Sequence, residues 1–277
     1  MTLPRLLALD LDGTLLGRGD AIGDDDRAAL AAARRAGIQV TLATGRITTG
    51  ALPTARALEL RGTMVVADGA VLADMEHGTP TDTRWMPPLV VEGLTSTMRA
   101  QALQAFWFLH DEIHGEHGSD AVVGYVRTWS PDVRLHPVLA DAPVQSRRHE
   151  VAATVGVGPR AAVERAAEWL AETHPGALNA AHFPLDRDRW ALLARDATAD
   201  KAQGLARLCA PLGIARHEVA VVGDWINDVP MFRWAGRSFA MGGAPDDVAR
   251  HATDRLTRTV RDGGVAEAVR HILRGHS

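Results

Sequence analysis

The strongest constraint on the fold is an alternation of short apolar runs with helical segments in the first quarter of the chain. Residues 5–9, 38–43 and 64–67 have the pattern of buried strands, and each run ends in polar residues or glycine. The helix predicted over 24–35 starts with three aspartates as N-capping carboxylates and ends before Gly37, and a second helix ends near residue 60. Apolar strands alternating with helices predict a doubly wound α/β fold, a Rossmann-like parallel sheet with helices on both faces.

The middle of the chain has a different pattern. The predicted elements there are a helix after Pro87-Pro88 to about residue 103, a strand at 151–157, an amphipathic helix at 159–173 and a strand at 177–183. The first pattern then resumes, with a strand at 190–193, a helix from Lys201 and a strand at 219–222. We therefore expect an α+β domain at 81–186, inserted into an α/β domain made of 1–80 and 187–277.

Composition excludes several classes of protein. A chain of 277 residues that is 46% apolar can bury one large core or two smaller ones. The net charge of -4 argues against a nucleic-acid surface or a polybasic membrane patch. The single cysteine, Cys209, excludes an internal disulfide and a cysteine-built zinc site, and its position predicts the core of an amphipathic helix.

No targeting segment is evident in the sequence. Asp10 and Asp12 interrupt the apolar run at the start of the chain, and no run approaches the ~20 apolar residues of a membrane-spanning helix. We expect a cytoplasmic protein whose partner is a small molecule, without nucleic acid or membrane. The oligomeric state is not encoded in any pattern found.

Two aspartates follow the first predicted strand. In a regular strand, residues two apart point to the same side, so Asp10 could act as a nucleophile while Asp12 exchanges a proton with the leaving group. Gly13 permits the tight exit from the strand.

The second predicted strand ends in Thr44-Gly45-Arg46, at the start of a helix. Free N–H groups and a hydroxyl at that position can bind an anion. A simple threonine cap is the alternative, and the sequence does not decide between the two.

Lys201 is the only lysine among 30 basic residues, and it lies in the first turn of a predicted helix. A cation there opposes the helix dipole at a cost of about 0.3–1 kcal/mol. A local rule broken in this way is typical of a functional site, and a compact ammonium group suits a phosphoryl group in transfer.

A fourth group of polar residues follows the strand at 219–222. Asp224, Asn227 and Asp228 should meet Asp10 and Asp12 at one rim, because ligands sit at the carboxyl ends of parallel strands. Four carboxylates in one crevice repel each other unless a cation neutralises them, and hard oxygen ligands favour Mg²⁺.

The ordered set of Asp10-Leu11-Asp12-Gly13-Thr14-Leu15, Thr44, Lys201 and Gly223-Asp224-x-x-Asn227-Asp228 resembles the four motifs of the haloacid dehalogenase (HAD) superfamily. Residues 239–242 and 262–266 resemble the end of its Cof-type phosphatases. The predicted insertion lies between the second and third motifs, where that type carries an αβ cap (type IIB) that closes over substrate.

The resemblance implies a role for each matching residue. Asp10 would be the nucleophile that forms an aspartyl-phosphate and also a Mg²⁺ ligand, and Asp12 the general acid and base with a metal-binding carbonyl. Phosphoryl oxygens would be bound by Thr44, Gly45, Lys201 and Asn227. Asp224 would bind the metal directly, and Asp228 would orient the metal site without touching the metal. The implied activity is hydrolysis of a small phosphomonoester, such as a sugar phosphate or a similar metabolite.

Two residues depart from the family pattern. Asp68 stands where Cof-type proteins usually have asparagine, which adds a negative charge near the rim, and Trp225 stands where a small or polar residue is usual. Together with Arg46, they are candidates for contact with substrate.

Three rival functions remain at this level. A phosphomutase of the same superfamily would use the same core but a bisphosphate activator. A phosphoaspartate receiver domain would need neither the insertion nor Asp12. A binding protein without catalysis is disfavoured because no expected group is missing.

Two further patterns are weaker. His110, His114 and His117 would share a helical face suited to zinc, but Gly115 and Gly118 favour a solvated loop. Gly156-x-Gly158-x-x-Ala161 resembles a dinucleotide-binding turn without a ribose-binding acid. Five tryptophans in or beside the insertion are expected mostly to pack: Trp85, Trp107, Trp129, Trp169 and Trp190.

Overall fold

The computed structural model of the chain describes residues 2–17 and 19–274, and it divides into two compact units. The first unit comprises Met1–Gly45, Ala51–Thr79 and Asp200–Ser277, and the second comprises Arg46–Gly50 and Pro80–Ala199. Positions 1, 18 and 275–277, which belong to the α/β domain predicted from the sequence, lie outside the described residues.

The strands are β1 (Leu6–Leu9), β2 (Gln39–Leu42), β3 (Thr63–Val66), β4 (Val71–Asp74), β5 (Pro80–Thr83), β6 (Gln104–Phe108), β7 (Ile113–Glu116), β8 (Val133–His136), β9 (Ala153–Gly158), β10 (Leu178–Pro184), β11 (Trp190–Asp196), β12 (Val219–Gly223), β13 (Arg237–Ala240) and β14 (Asp254–Arg255). The α-helices are α1 (Asp24–Arg35), α2 (Thr48–Ala57), α3 (Pro88–Ala100), α4 (Asp120–Val126), α5 (Arg160–Thr173), α6 (Lys201–Cys209), α7 (Val229–Trp234), α8 (Asp246–Ala249) and α9 (Gly264–Arg274). Short 3₁₀ helices lie at Ala67–Gly69, Leu139–Asp141, Pro143–Glu150, Ala210–Leu212, Arg216–Glu218 and Ile226–Asp228.

The first unit is built on a parallel sheet with the strand order β14-β13-β12-β1-β2. Every residue of β1 is fully buried, and successive side chains of a strand point to opposite faces, so both faces of the sheet are covered. Helix α1 packs on α9, and α6 packs on α7. The doubly wound α/β fold predicted from the sequence is confirmed.

Three strands of this sheet bring the predicted functional residues to one edge. Because β2, β1 and β12 are parallel neighbours, their carboxyl ends lie side by side. Asp10 follows β1 directly, Asp224 follows β12 directly, and Thr44 comes two residues after β2. Cys209 is buried in the core beneath α6, as predicted, and burial raises the pKa of its thiol to about 11.

The second unit is built on a six-stranded sheet with the order β10-β11-β9-β6-β7-β8. Its neighbouring strands are antiparallel except for β7 and β8, and helices α3 and α5 pack against it. Trp107 is fully buried in this core, and Trp169 and Trp190 pack against it, as expected for structural tryptophans.

One predicted strand belongs to the other unit. We expected residues 190–193 to return to the first sheet, but β11 pairs antiparallel with β9 and β10 in the second. An apolar run fits a buried strand of either sheet, whereas the five-residue connection at 185–189 is typical of a hairpin. The second compact unit therefore extends to Ala199 rather than to residue 186.

The histidine-rich segment also differs from the prediction of a solvated loop. Residues Ile113–Glu116 form strand β7, and His114 is buried, with its Nδ1 2.8 Å from Nε2 of His136. Among residues 2–17 and 19–274, the histidines form no group of three with other metal-ligating side chains. Pairing with β8 explains the extended conformation, which glycines at 115 and 118 do not prevent.

The glycines at the end of β9 serve packing. A Cβ atom on Gly156 would lie 2.9 Å from Sδ of Met98, and one on Gly158 would lie 2.6 Å from Cδ2 of Leu103. Because β9 is antiparallel to both neighbours, it is not part of the parallel unit that a dinucleotide-binding turn requires.

The start of α1 is a smaller correction. The N-cap is Gly23, and the three aspartates that follow it lie in the first turn instead of capping it. One of them, Asp26, is fully buried and accepts a hydrogen bond from the Ala266 amide at the start of α9 (2.7 Å).

Within the described part of the chain, no helix is both long and apolar enough to cross a bilayer. The cytoplasmic location stays a prediction.

Candidate active site

The loop after β1 places one buried and one exposed carboxylate at the edge of the sheet. Strand β1 ends at Leu9, so the strand alternation invoked for Asp10 and Asp12 does not apply to them. The loop closes instead on the Leu11 carbonyl, which accepts the amides of residues 15 and 16 (2.9 and 2.7 Å). Asp10 is buried and Asp12 is exposed.

Gly13 and Thr14 bring this loop against Asp224. Gly13 has a φ of 85°, and a Cβ atom there would lie 2.3 Å from Oδ2 of Asp224, so only glycine fits. The Thr14 hydroxyl donates to Oδ1 of Asp224 at 2.8 Å. Sequence reasoning quoted Thr14 as part of the motif but missed this role; its place directly after Gly13 was the available signal.

The only lysine of the chain lies at the centre of the site. Lys201 begins α6, and Asp200 caps that helix by accepting from the Gln203 amide (2.8 Å). The lysine is fully buried, and its Nζ lies 2.6 Å from Oδ1 of Asp10 and 2.6 Å from Oδ1 of Asp228. Two ion pairs at this distance offset the unfavourable first-turn position.

The loop after β12 is folded around Asp228. Oδ2 of this carboxylate accepts the amides of Asp224 (2.8 Å) and Trp225 (2.9 Å), while Oδ1 binds Lys201. A Cβ atom on Gly223 would lie 2.5 Å from Cγ of Asp228, so glycine is needed for this approach. Both oxygens of the buried Asp228 are thus occupied by N–H donors.

A third cluster joins the loops after β2, β3 and β12. The Thr44 amide donates to Val65 and the Thr44 carbonyl accepts the Asp68 amide, both at 3.0 Å. The Asp68 carboxylate in turn accepts Nδ2 of Asn227 at 2.9 Å, and Gly45 lies beside it, with its Cβ position 3.4 Å from Oδ1. Helix α2 begins only at Thr48, so Thr44 is not its cap.

Burial and mutual repulsion control the charges of this site. Burial, with the charges of Asp228 and Asp224, raises the pKa of Asp10 well above its usual value, against the opposing effect of Lys201. Burial and the Asp228 charge raise the pKa of Asp224 to about 7. Burial alone would lower the pKa of Lys201, but the carboxylates of Asp10, Asp228 and Asp68 outweigh it and raise that pKa.

These carboxylates fit a divalent cation. One oxygen from each of Asp10, Asp224 and Asp228 lies within 4.8 Å of the others. A single buried ammonium group does not neutralise three carboxylates, and the pKa values of Asp10 and Asp224 are raised first by burial and then by the remaining repulsion. Hard oxygen donors in this arrangement suit Mg²⁺.

The other two candidate substrate contacts have different surroundings. Arg46 belongs to the second unit, where it is buried and its guanidinium donates to the Gly50 carbonyl (3.4 Å). Trp225 is 50% exposed and its neighbour Ile226 is 52% exposed, although the Trp225 backbone is fixed by Asp228.

Comparison with known proteins finds similar phosphatases. The chain is 26% identical over 271 residues to a 5-amino-6-(5-phospho-D-ribitylamino)uracil phosphatase of Bacillus subtilis, covering 96% of this chain and 95% of the relative. It is 27% identical over 264 residues to a pyridoxal phosphate phosphatase of Escherichia coli, covering 90% and 91%.

Solved structures show the same architecture. The crystal structure of a haloacid dehalogenase-like hydrolase from Bacteroides thetaiotaomicron matches with a TM-score of 0.83 and 28% identity, covering 97% of this chain and 99% of the other. The family model described as haloacid dehalogenase-like hydrolase matches residues 7–269. The resemblance read from the motifs is therefore confirmed, and the chain belongs to the haloacid dehalogenase-like hydrolases, as a phosphatase of the Cof type.

Proposed function

We propose that this protein hydrolyses a small phosphomonoester with Mg²⁺ and an aspartyl-phosphate intermediate on Asp10. One observation carries the proposal: a buried aspartate at the end of β1 is held by the only lysine of the chain, among carboxylates in excess. A nucleophile, a cation site and a phosphoryl-binding ammonium group are the parts that two-step phosphoryl transfer needs.

The metal would be held at the acidic end of the site. Asp10 and Asp224 are the direct carboxylate ligands in this proposal, with the Asp12 carbonyl beside them. Both carboxylate oxygens of Asp228 already accept hydrogen bonds, from Lys201 and from the loop amides. Asp228 would therefore support the site by positioning these groups. When bound, Mg²⁺ would neutralise these carboxylates and the phosphoryl oxygens.

Two displacements at one carboxylate then follow. Lys201 donates a hydrogen bond to Oδ1 of Asp10 and so orients the carboxylate. A carboxylate oxygen of Asp10 attacks phosphorus while the bond between phosphorus and the leaving alkoxide breaks. Asp12, exposed to solvent, gives the alkoxide its proton. In the second step Asp12 takes a proton from water, which attacks the aspartyl-phosphate and releases inorganic phosphate and free Asp10.

The phosphoryl oxygens would be bound by Lys201, Thr44, Gly45 and Asn227. Backbone hydrogen bonds fix Thr44 between β3 and Asp68, and the amide of Asn227 is fixed by Asp68. Preorganised donors of this kind stabilise charge on a transferring group without reorganisation. Trp225 is the candidate in the first unit for contact with the rest of the substrate, and the contact expected of Arg46 stays a prediction.

The substrate belongs to the class of small phosphorylated metabolites. The relatives named for a phosphoribitylamino-uracil and for pyridoxal phosphate supply two compounds for a panel, and sugar phosphates complete it. Purified protein with Mg²⁺ should release inorganic phosphate from at least one of these esters, and an excess of EDTA should stop the release.

Asp10→Asn tests the nucleophile. Because an amide is a far weaker nucleophile, we expect turnover to fall by about a thousandfold or more. Asp26→Asn is the matched control, since Asp26 is also a buried aspartate of the first unit with a pKa that burial raises, and it should keep full activity. Undiminished turnover in Asp10→Asn, or in EDTA, would overturn the proposed mechanism.

A further inference from the structure

We propose that Asp68 is a positioning residue, which acts on the phosphoryl group through the side-chain amide of Asn227. The inference rests on the proposed function and replaces the idea, raised from the sequence, that Asp68 itself contacts substrate.

The backbone around Asp68 is held in a sparsely populated conformation. Ala67, Asp68 and Gly69 have φ values of 49°, 50° and 92°, and two of these three residues carry a Cβ atom that disfavours the left-handed region. Gly69 packs on α6, because a Cβ atom there would lie 2.0 Å from the Asp200 carbonyl. Strained backbone of this kind persists where the surroundings enforce it, and it is typical of functional loops.

The strained loop delivers the Asp68 carboxylate to one partner in the loop after β12. Oδ1 of Asp68 accepts Nδ2 of Asn227 at 2.9 Å, and Asp68 is only 5% exposed. An ionised carboxylate only accepts hydrogen bonds, so it binds the NH₂ side of the amide. An asparagine at position 68 could donate or accept a hydrogen bond, and would leave the direction of the Asn227 amide open.

The same contact ties three loop ends together. The Asp68 amide is bound to the Thr44 carbonyl (3.0 Å), so the Asn227 amide is held in a fixed relation to Thr44. Asp68 thus fixes one phosphoryl-binding group, the Asn227 amide, relative to another, Thr44.

A double-mutant cycle separates positioning from direct contact. Asp68→Gly removes the carboxylate while accepting the positive φ, so the fold should be kept, and Asn227→Ala removes the amide. The readouts are KM and kcat for the best ester of the panel, the dissociation constant of inorganic phosphate with Mg²⁺ by calorimetry, and the melting temperature.

We expect each single variant to raise KM and the phosphate dissociation constant about tenfold and to lower kcat about tenfold, because the same amide meets the phosphoryl group in the bound ester and during transfer. The double variant should equal Asn227→Ala, because Asp68 has nothing left to position. Asp68→Asn, which keeps an acceptor, should lie between wild type and Asp68→Gly.

Multiplying effects in the double variant would overturn the inference, since they would place Asp68 on the ligand itself. A lower melting temperature with unchanged KM and phosphate binding would also overturn it, as a merely structural role. Failure of the proposed function has a different signature, in which wild-type protein hydrolyses no ester. Phosphate binding alone then decides whether Asp68 acts through Asn227.

Discussion

Each unit of this protein buries carboxylates beside cations, but the balance of charge differs between them. In the first unit, Asp10, Asp224 and Asp228 share a single ammonium group, that of Lys201. In the second unit, three carboxylates share two guanidinium groups: Arg147 contacts Asp111, Glu112 and Glu150, and Arg134 lies 2.9 Å from the other oxygen of Glu112.

The pKa values show what this difference does. Burial alone would raise the pKa of Asp111 in the second unit, but the hydrogen bond from Arg147 (3.0 Å) keeps it below its usual value. In the first unit the pKa of Asp224 is raised to about 7 by burial and the charge of Asp228. Carboxylates that each have a guanidinium partner indicate a structural network, whereas uncompensated negative charge indicates a site that is completed by a cation.

The comparison predicts its largest effect for the lysine. Lys201→Arg keeps the charge but replaces a compact ammonium with a bulkier planar group, in a fully buried position that already contacts two carboxylates. We expect kcat to fall by about a hundredfold or more, measured as phosphate release with Mg²⁺.

Arg147→Lys is the matched control in the second unit. It loses the multiple contacts of the guanidinium with Asp111, Glu112 and Glu150, so it should lower the melting temperature by a few degrees and leave kcat unchanged. If Arg147→Lys impaired turnover as much as Lys201→Arg, the distinction between the two charge clusters would be lost.

Much of the site could be predicted because the carboxyl ends of parallel strands lie at the same edge of a sheet. Asp10, Thr44 and Asp224 follow parallel strands, so their convergence needs only the strand assignment. Lys201 was identified by its rarity and its unfavourable place in a helix. The pairing of Asp68 with Asn227 could not be predicted, because it joins residues 159 apart and depends on a left-handed loop that no propensity favours.

The fold shows the same limit. Apolar runs placed seven of the fourteen described strands to within a few residues, but they do not say which sheet a strand joins. Strand β11 was assigned to the wrong unit for this reason, and the short connection before it was the better signal. His114 was assigned to a loop because strand β7 is set by pairing with β6 and β8 rather than by composition.

Mg²⁺ should stabilise the protein only through the carboxylates of Asp10, Asp224 and Asp228 in the first unit. At a hundred times its dissociation constant, a ligand that binds only the folded state adds about 2.7 kcal/mol to the free energy of unfolding. We expect a rise in melting temperature of several degrees for wild type and for Glu112→Gln, and a much smaller rise for Asp224→Asn. An equal rise in all three proteins would show that the cation binds elsewhere.

The smallest predicted effect is a difference in pH dependence between the clusters, measured by urea unfolding in EDTA. Asp224 holds its proton up to about pH 7 when folded but only to about 3.8 when unfolded, so its ionised form destabilises the fold above pH 7. Asp224→Asn should therefore be more stable than wild type at pH 8, by about 1–2 kcal/mol, and this gain should shrink as the pH falls to 5.

His136 of the second unit should behave in the opposite sense. Burial and the neighbouring His114 and His117 lower its pKa below 6.5, so wild type loses stability as the pH falls through the range in which only the unfolded chain takes up the proton. His136→Gln breaks the contact with His114 and should cost about 1 kcal/mol or less at pH 8, a cost that shrinks by pH 5. As the pH falls from 8 to 5, the stability of each variant thus approaches that of wild type, from above for Asp224→Asn and from below for His136→Gln. If both variants were more stable than wild type at pH 8, or both less stable, the two groups of charges would not differ in the sign of their uncompensated charge.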